Sequence, residues 1–160
     1  MFTTSLLLGL SLILQGTAAT SAQAVLEQPA KTLQTVKKIE NTVRKDPTTA
    51  QLTQIGNTQG PIPNGLLTLN YPGLLIKLVV STYEGNTGLD SLEVTDVSWL
   101  DKIGVSLPLT RSEIVKSLGP GRPSAGGLRY QERGVIGAIT LQLTFDGEKL
   151  IKAVWSYPHD

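Results

Sequence analysis

The side chains that could act as acids, bases or nucleophiles are few and form no recognisable catalytic set. The single histidine, His159, is the penultimate residue, which is a poor position for the general base that a nucleophile needs. Carboxylates that could form an acid–base pair fall in two groups: Asp90, Glu93 and Asp96, and Asp146 and Glu148. The first group lies where a strand begins and the second in a tight turn, which favours solvated structural roles. We therefore predict no catalytic residues and a protein that is not an enzyme.

Metal and cofactor sites are not indicated either. Glu84, Asn86 and Asp90 could offer oxygens to calcium. Gly88 interrupts their alternate spacing, however, and Thr95 stands where a calcium loop opening at Glu84 needs a bidentate glutamate. The glycines occur at turn positions and outside any phosphate-loop sequence. We predict no metal ion and no cofactor.

Composition excludes some classes of partner. The 160 residues carry a net charge of +1, are 17% charged and 40% hydrophobic, and include no cysteine. A nucleic-acid surface requires a clear basic excess, so none is predicted. The hydrophobic fraction is ample for one folded domain, which must be stabilised by packing without disulfides.

The N-terminus predicts export. Residues 1–24 contain no charged side chain, and an apolar run from Leu6 to Leu14 is followed by small residues ending in Ala22-Gln23-Ala24. This is typical of a cleaved secretory signal with an A-x-A site. The alternative, a membrane anchor, is disfavoured because polar residues from Gln15 interrupt the run too early. We predict a periplasmic or secreted protein with no stable membrane anchor after cleavage.

The segment that follows, 25–47, predicts an N-terminal amphipathic helix. Apolar residues recur at three- and four-residue spacings between Gln28 and Lys45, and five basic residues share that segment with Glu40. A membrane-surface helix or a docking helix for an acidic partner is one interpretation. The favoured one is a solvated polar face on a helix packed against the domain.

An internal repeat predicts two tandem helix-sheet modules, 48–103 and 104–160. A capping box, Thr48-x-x-Gln51 in the first and Thr110-x-x-Glu113 in the second, predicts a short helix that ends at a glycine. Each helix precedes a loop rich in Pro and Gly, a Tyr and two apolar strands that run to a Trp. Trp99 and Trp155 are interpreted as matching residues that fill the core.

The strand from Ala138 to Phe145 has the clearest alternation in the chain, apolar on one side and polar on the other. The fold class is therefore α+β, an antiparallel sheet with short helices packed on one face and a polar face open to solvent. That open face is the predicted partner site. Tyr83 and Tyr157 have no counterpart in the other copy and are added as surface contacts. The predicted partner-binding residues are Lys77, Tyr83, Thr140, Gln142, Thr144, Lys152 and Tyr157.

The second half of the chain resembles a known superfamily. The segment from Gly104 to Gly119-Pro120, then Leu128-Arg129-Tyr130 and Leu143 to Leu150, is similar to the helix-Gly-Pro, Tyr, Phe-Asp-Gly-Lys pattern of two families. These are the SmpA/OmlA outer-membrane assembly lipoproteins and the β-lactamase-inhibitor proteins. The resemblance implies a helix-pair-on-sheet module and, for two tandem modules, a concave protein-binding sheet. The chain lacks the lipoprotein cysteine of the first family and the disulfides of the second.

These observations predict an exported, non-enzymatic protein-binding module whose partner is another protein in the envelope or outside the cell. An inhibitor or an immunity-type protein would act in this way through the open sheet face. The alternative is a component of cell-envelope assembly or a scaffold, and a hydrolase comes third.

Overall fold

The computed structural model describes residues 21–34, 36–43, 47, 49–54, 65–80, 87–134 and 137–158. Four helices and eight strands lie within these ranges. The helices are α1 (Ala22–Thr32), α2 (Val36–Thr42), α3 (Trp99–Lys102) and α4 (Arg111–Leu118). The strands are β1 (Thr49–Gln54), β2 (Gly65–Tyr71), β3 (Leu74–Val80), β4 (Thr87–Val94), β5 (Arg122–Ser124), β6 (Gly127–Arg133), β7 (Ala138–Asp146) and β8 (Lys149–Ser156).

All eight strands form one antiparallel sheet in the order β1-β2-β3-β4-β8-β7-β6-β5. Two four-strand meanders thus lie side by side and join where β4 pairs with β8, with Leu92 opposite Trp155. The α+β class is confirmed. The order of two helices followed by four strands occurs twice along the chain, whereas the modules predicted at 48–103 and 104–160 remain a prediction.

Helices cover one side of the sheet. Each of the four contributes side chains to a single core, which also receives the inward residues of the central strands, including Leu141 and Leu143. Two side chains of β8 and its extension hold α1 in place. The Trp155 Nε1 donates to the Val25 carbonyl at 3.0 Å, and the Tyr157 hydroxyl donates to the Leu26 carbonyl at 3.0 Å.

The prediction of a helix beginning at Thr48 is wrong. Thr49–Gln54 is the edge strand β1, paired antiparallel with β2 from Thr49 opposite Asn70 to Gln54 opposite Gly65. The capping box offers only local hydrogen bonds, while pairing with β2 satisfies a whole ladder of backbone groups. The predicted end of that helix, at Gly56, lies outside the described residues.

The two tryptophans are not equivalent in position. β4 ends at Val94, and Trp99 begins helix α3 after Ser98, whereas Trp155 lies within β8. Both side chains are nevertheless buried, with 6% and 0% of their surface exposed. Their predicted role in the core is confirmed, and their equivalence is wrong because the chain turns at 95–98 before the first of them.

The N-terminal segment forms two helices in place of the single one predicted. α1 begins at Ala22, and Ser21 caps it by accepting a hydrogen bond from the Ala24 N–H at 3.2 Å. Cleavage after the predicted A-x-A site, before Val25, would therefore fall in the first turn of α1, next to the buried Val25 and Leu26. Residues 1–20 of the predicted signal lie outside the described part of the chain. No helix within the described residues is long and apolar enough to cross a membrane.

The N-terminal cap predicted at Thr110 of α4 is confirmed, and the Glu113 carboxylate accepts from the Thr110 hydroxyl at 2.7 Å. The β7–β8 turn reinforces the cap. The Thr110 hydroxyl accepts from the Glu113 N–H at 3.3 Å. The Glu148 carboxylate accepts from the Ser112 hydroxyl at 2.6 Å and from the Ser112 N–H at 3.0 Å. These hydrogen bonds, from the side chain first and the backbone second, hold the pKa of Glu148 below its usual range.

A pH-dependent contribution to stability follows. A carboxyl whose pKa is lowered by folding stabilises the protein above its unfolded pKa and loses that contribution as the pH falls through the folded value. We expect the free energy of unfolding to fall more steeply from about pH 6 to about pH 3 in the native chain than in Glu148→Gln. Urea unfolding across this range measures it. Parallel pH curves for the two chains would contradict the role of the carboxylate.

Candidate protein-binding face

The open face of the sheet is the side opposite the helices, and β7 shows how it arises. Leu141 and Leu143 point into the core, so the alternating neighbours Thr140, Gln142 and Thr144 point the other way. Residues that lie opposite each other on paired strands share a face. The strand register therefore defines the rest of the open face.

Two rows of side chains cross this face from strand to strand. The first passes through every strand, and the second through all but β5. Successive register partners in the first row are Thr49, Asn70, Leu75, Glu93, Val154, Gln142, Arg129 and Arg122. Those in the second are Gln51, Thr68, Lys77, Ser91, Ser156, Thr140 and Gln131.

Five of the seven predicted partner-binding residues lie together on this face: Lys77, Thr140, Gln142, Thr144 and Lys152. Tyr83 lies outside the described residues. Tyr157 is turned toward the helices, where its hydroxyl bonds to Leu26 and burial raises its pKa. Tyr157 therefore does not share the open face, because the alternation that points Trp155 into the core also points Tyr157 inward.

Positive charge outweighs negative charge on the open face. The two rows contain three basic residues and a single acidic one, Glu93. Glu93 is already paired with Lys152, whose Nζ lies 2.6 Å from its Oε1. The basic residues of the rows, Lys77, Arg122 and Arg129, form no ion pair within the described residues. A protein partner with an acidic surface would complement this face.

The arginines were missed by the sequence analysis. Arg122 and Arg129 are seven residues apart in the chain, yet they lie directly opposite each other because β5 folds back on β6. Arg129 and Arg133 share the open face because they are four positions apart on one strand, and every second side chain of a strand points the same way. The spacing of Arg129 and Arg133 could have been recognised in the sequence. Whether Arg122 lies on the same face, however, depends on the length of the turn between β5 and β6.

Four of the five carboxylates that could form an acid–base pair make structural contacts. Glu93 pairs with Lys152, Asp90 accepts from the Ser91 hydroxyl at 2.8 Å, and Glu148 caps α4. Asp96 accepts from the Ser98 N–H at 3.0 Å. Within the part of the chain that the structure describes, no group of three or more His, Cys, Asp or Glu residues could hold a metal ion. His159 lies outside that part.

Tyr71 and Tyr130, the tyrosines that precede the paired strands of the two copies, make structural contacts. Tyr71 lies against Trp99, with ring centroids 6.1 Å apart. The Tyr130 hydroxyl donates to the Gly119 carbonyl at 2.8 Å and so connects β6 to the end of α4. Both side chains are buried, and neither is free to contact a partner through its ring faces.

Comparison with protein-family models, curated proteins and solved structures gave no match. Function is therefore inferred from the geometry and charge of the open face. The resemblance to β-lactamase-inhibitor proteins and to SmpA/OmlA lipoproteins stays a prediction.

Proposed function

We propose that this chain is an exported, non-enzymatic protein-binding module that acts through its open sheet face. One observation carries the proposal: five predicted partner-binding residues share a face that none of the described helices covers. An antiparallel sheet tolerates solvent on one side, so the exposure of this face is not by itself evidence of a partner. The mixture of apolar, polar and charged side chains on this face is what supports a protein partner.

Apolar and polar side chains alternate across the middle of the face. Leu75 and Val154 lie half-buried in the same row as Gln142, on either side of Glu93. A partly apolar centre with polar and charged groups around it is typical of protein interfaces. The arrangement supports a protein partner over a small molecule, which would need a concave, mostly apolar pocket. Inhibition or neutralisation of an exported enzyme fits such a face.

Reversing charge at the centre of the face is expected to abolish partner capture. The double variant Lys77→Glu with Gln142→Glu adds negative charge where an acidic partner would lie, and like charges brought together at an interface weaken binding. The assay is affinity capture from an envelope extract of the source organism, with bound proteins identified by mass spectrometry. We expect at least a tenfold loss of the captured protein, on the order of 1.4 kcal/mol.

The control is Lys37→Glu with Asn41→Glu, which makes the same change in charge at exposed positions of α2. It should capture as much as the native chain, and circular dichroism should show that both variants fold. Equal capture by the open-face variant and the native chain would overturn the proposal. Turnover of a wall, peptide or ester substrate by the purified protein would overturn its non-enzymatic part.

A further inference from the structure

Strand β6 has an outer edge that is only partly paired. On the side away from β7, β5 pairs with Gly127, Leu128 and Arg129 alone. Within the described residues no strand pairs with 130–133 on that side. Alternate residues of a strand direct their N–H and C=O groups to opposite sides, so this edge presents backbone groups available for a further strand.

The chain before β5 leaves this edge open because it turns toward the helices. Tyr130 points inward and bonds to Gly119 at the end of α4, so the segment leading to Arg122 approaches the sheet from that side. A cleft of about 540 Å³ results, lined by residues of both faces of β6. Its walls include Gly121, Arg122, Arg129, Tyr130, Gln131 and Arg133, and we call it the arginine cleft.

The charge of the arginine cleft is strongly positive. Arg122, Arg129 and Arg133 are all exposed, and none forms an ion pair within the described residues. Arg122 and Arg129 lie opposite each other, an arrangement of like charges that costs stability unless a counter-charge is bound. Guanidinium groups bind carboxylates through paired, directional hydrogen bonds, which makes arginine suited to recognising acidic side chains.

We propose that the arginine cleft binds an extended acidic segment of the partner protein, which adds as a strand to the open edge of β6. This inference rests on the proposed function and names the chemistry of the partner. The segment's backbone pairs with 130–133, and its alternate carboxylates lie on the open face, beside Arg133 at one end and facing the Arg122–Arg129 pair, where the pairing of β5 with β6 ends, at the other. Side chains two residues apart on a strand are separated by about 7 Å on the same face, so Arg129 and Arg133, four residues apart, are separated by about 14 Å. A segment with Glu or Asp at every second position places one carboxylate at each end of this span and one beside Gln131.

A peptide fits this cleft better than a nucleic acid does. Single-stranded nucleic acids bind to grooves in which exposed aromatic rings stack on the bases. The aromatic side chain of the cleft, Tyr130, is buried, with its hydroxyl engaged by Gly119. The open strand edge, in contrast, offers regularly spaced backbone groups that only another extended chain can pair with.

A synthetic peptide tests this inference. The probe is a fluorescein-labelled hexapeptide of alternating Thr and Glu, and its binding to the purified native chain is followed by fluorescence anisotropy at low ionic strength. We expect saturable binding that weakens as salt is added, because exposed charges are screened. The double variant Arg129→Gln with Arg133→Gln should bind about tenfold more weakly.

Two controls separate the site from general attraction. Lys37→Gln with Lys116→Gln removes two exposed positive charges from α2 and α4, and it should bind the peptide as the native chain does. A peptide with N-methylated amides on its pairing edge keeps every carboxylate but cannot complete the strand ladder, so its binding should be lost.

The inference is overturned if the lysine variant loses as much affinity as the arginine variant, or if the N-methylated peptide binds normally. It is also overturned if inorganic phosphate or anionic vesicles compete at lower concentrations than a hexapeptide of Glu and Thr. Peptide binding to β6 with unchanged partner capture by Lys77→Glu/Gln142→Glu would support the cleft and contradict the proposed function. Lost partner capture by Lys77→Glu/Gln142→Glu, without peptide binding to β6, would support the proposed function and contradict the cleft. The two failures can therefore be told apart.

Discussion

Replacing Trp155 with alanine is expected to lower the free energy of unfolding by about 3–5 kcal/mol. The indole has no exposed surface and lies in the middle of the sheet, opposite Leu92 on β4 and Leu141 on β7. Its removal leaves a cavity where the two meanders meet. It also leaves the Val25 carbonyl without the hydrogen bond from Nε1, and a buried acceptor without a partner adds to the cost.

Urea unfolding followed by circular dichroism measures this loss without depending on tryptophan fluorescence. The matched control is Ile151→Ala on the same strand, where 41% of the side chain is exposed. That change should alter the free energy of unfolding by about 0.5 kcal/mol or less. A loss below about 1.5 kcal/mol for Trp155→Ala would show that the sheet can collapse around the gap. Hydrogen exchange should also show earlier opening of α1, because Trp155 holds its first turn.

The sequence predicted strands better than helices, and the reason is physical. β7 was predicted because its side chains alternate over eight residues, and one face must then be buried whatever the neighbours are. The segment 49–54 contains no comparable apolar alternation, and its capping box favoured a helix. This segment becomes a strand because it pairs with the free edge of β2. A local sequence pattern does not show that such an edge is present.

The candidate site was predicted in part for the same reason. Gln142 and Lys152 follow from alternation within single strands. The arginine cleft depends on two further facts, the turn that brings Arg122 opposite Arg129 and the three-residue length of β5 that leaves the rest of β6 unpaired. Neither fact can be deduced from hydrophobic periodicity, because both depend on where pairing stops.

Changing Gly127 to alanine is expected to cost about 3 kcal/mol of stability and to disturb the arginine cleft as well. A Cβ atom at this position would overlap the Leu143 carbonyl oxygen and lie 2.7 Å from its carbon and 3.1 Å from the Thr144 Cα. These are backbone atoms of the paired strand β7, so no side-chain rotation can relieve the clash. The two strands must separate at the point where β5, β6 and β7 meet.

The control for this prediction is Gly147→Ala in the β7–β8 turn, where a new Cβ would meet no atom within 4 Å. Gly147 has φ of 58°, so alanine there should cost only the strain of a left-handed backbone, about 1–2 kcal/mol. Because Gly127 lies two residues before Arg129 on β6, its substitution should also weaken binding of the Thr-Glu peptide, while Gly147→Ala should not. Equal stability losses for the two variants, or unchanged peptide binding by Gly127→Ala, would mean that β6 can shift without moving its arginines. The position of the arginine cleft would then not depend on the close contact between β6 and β7.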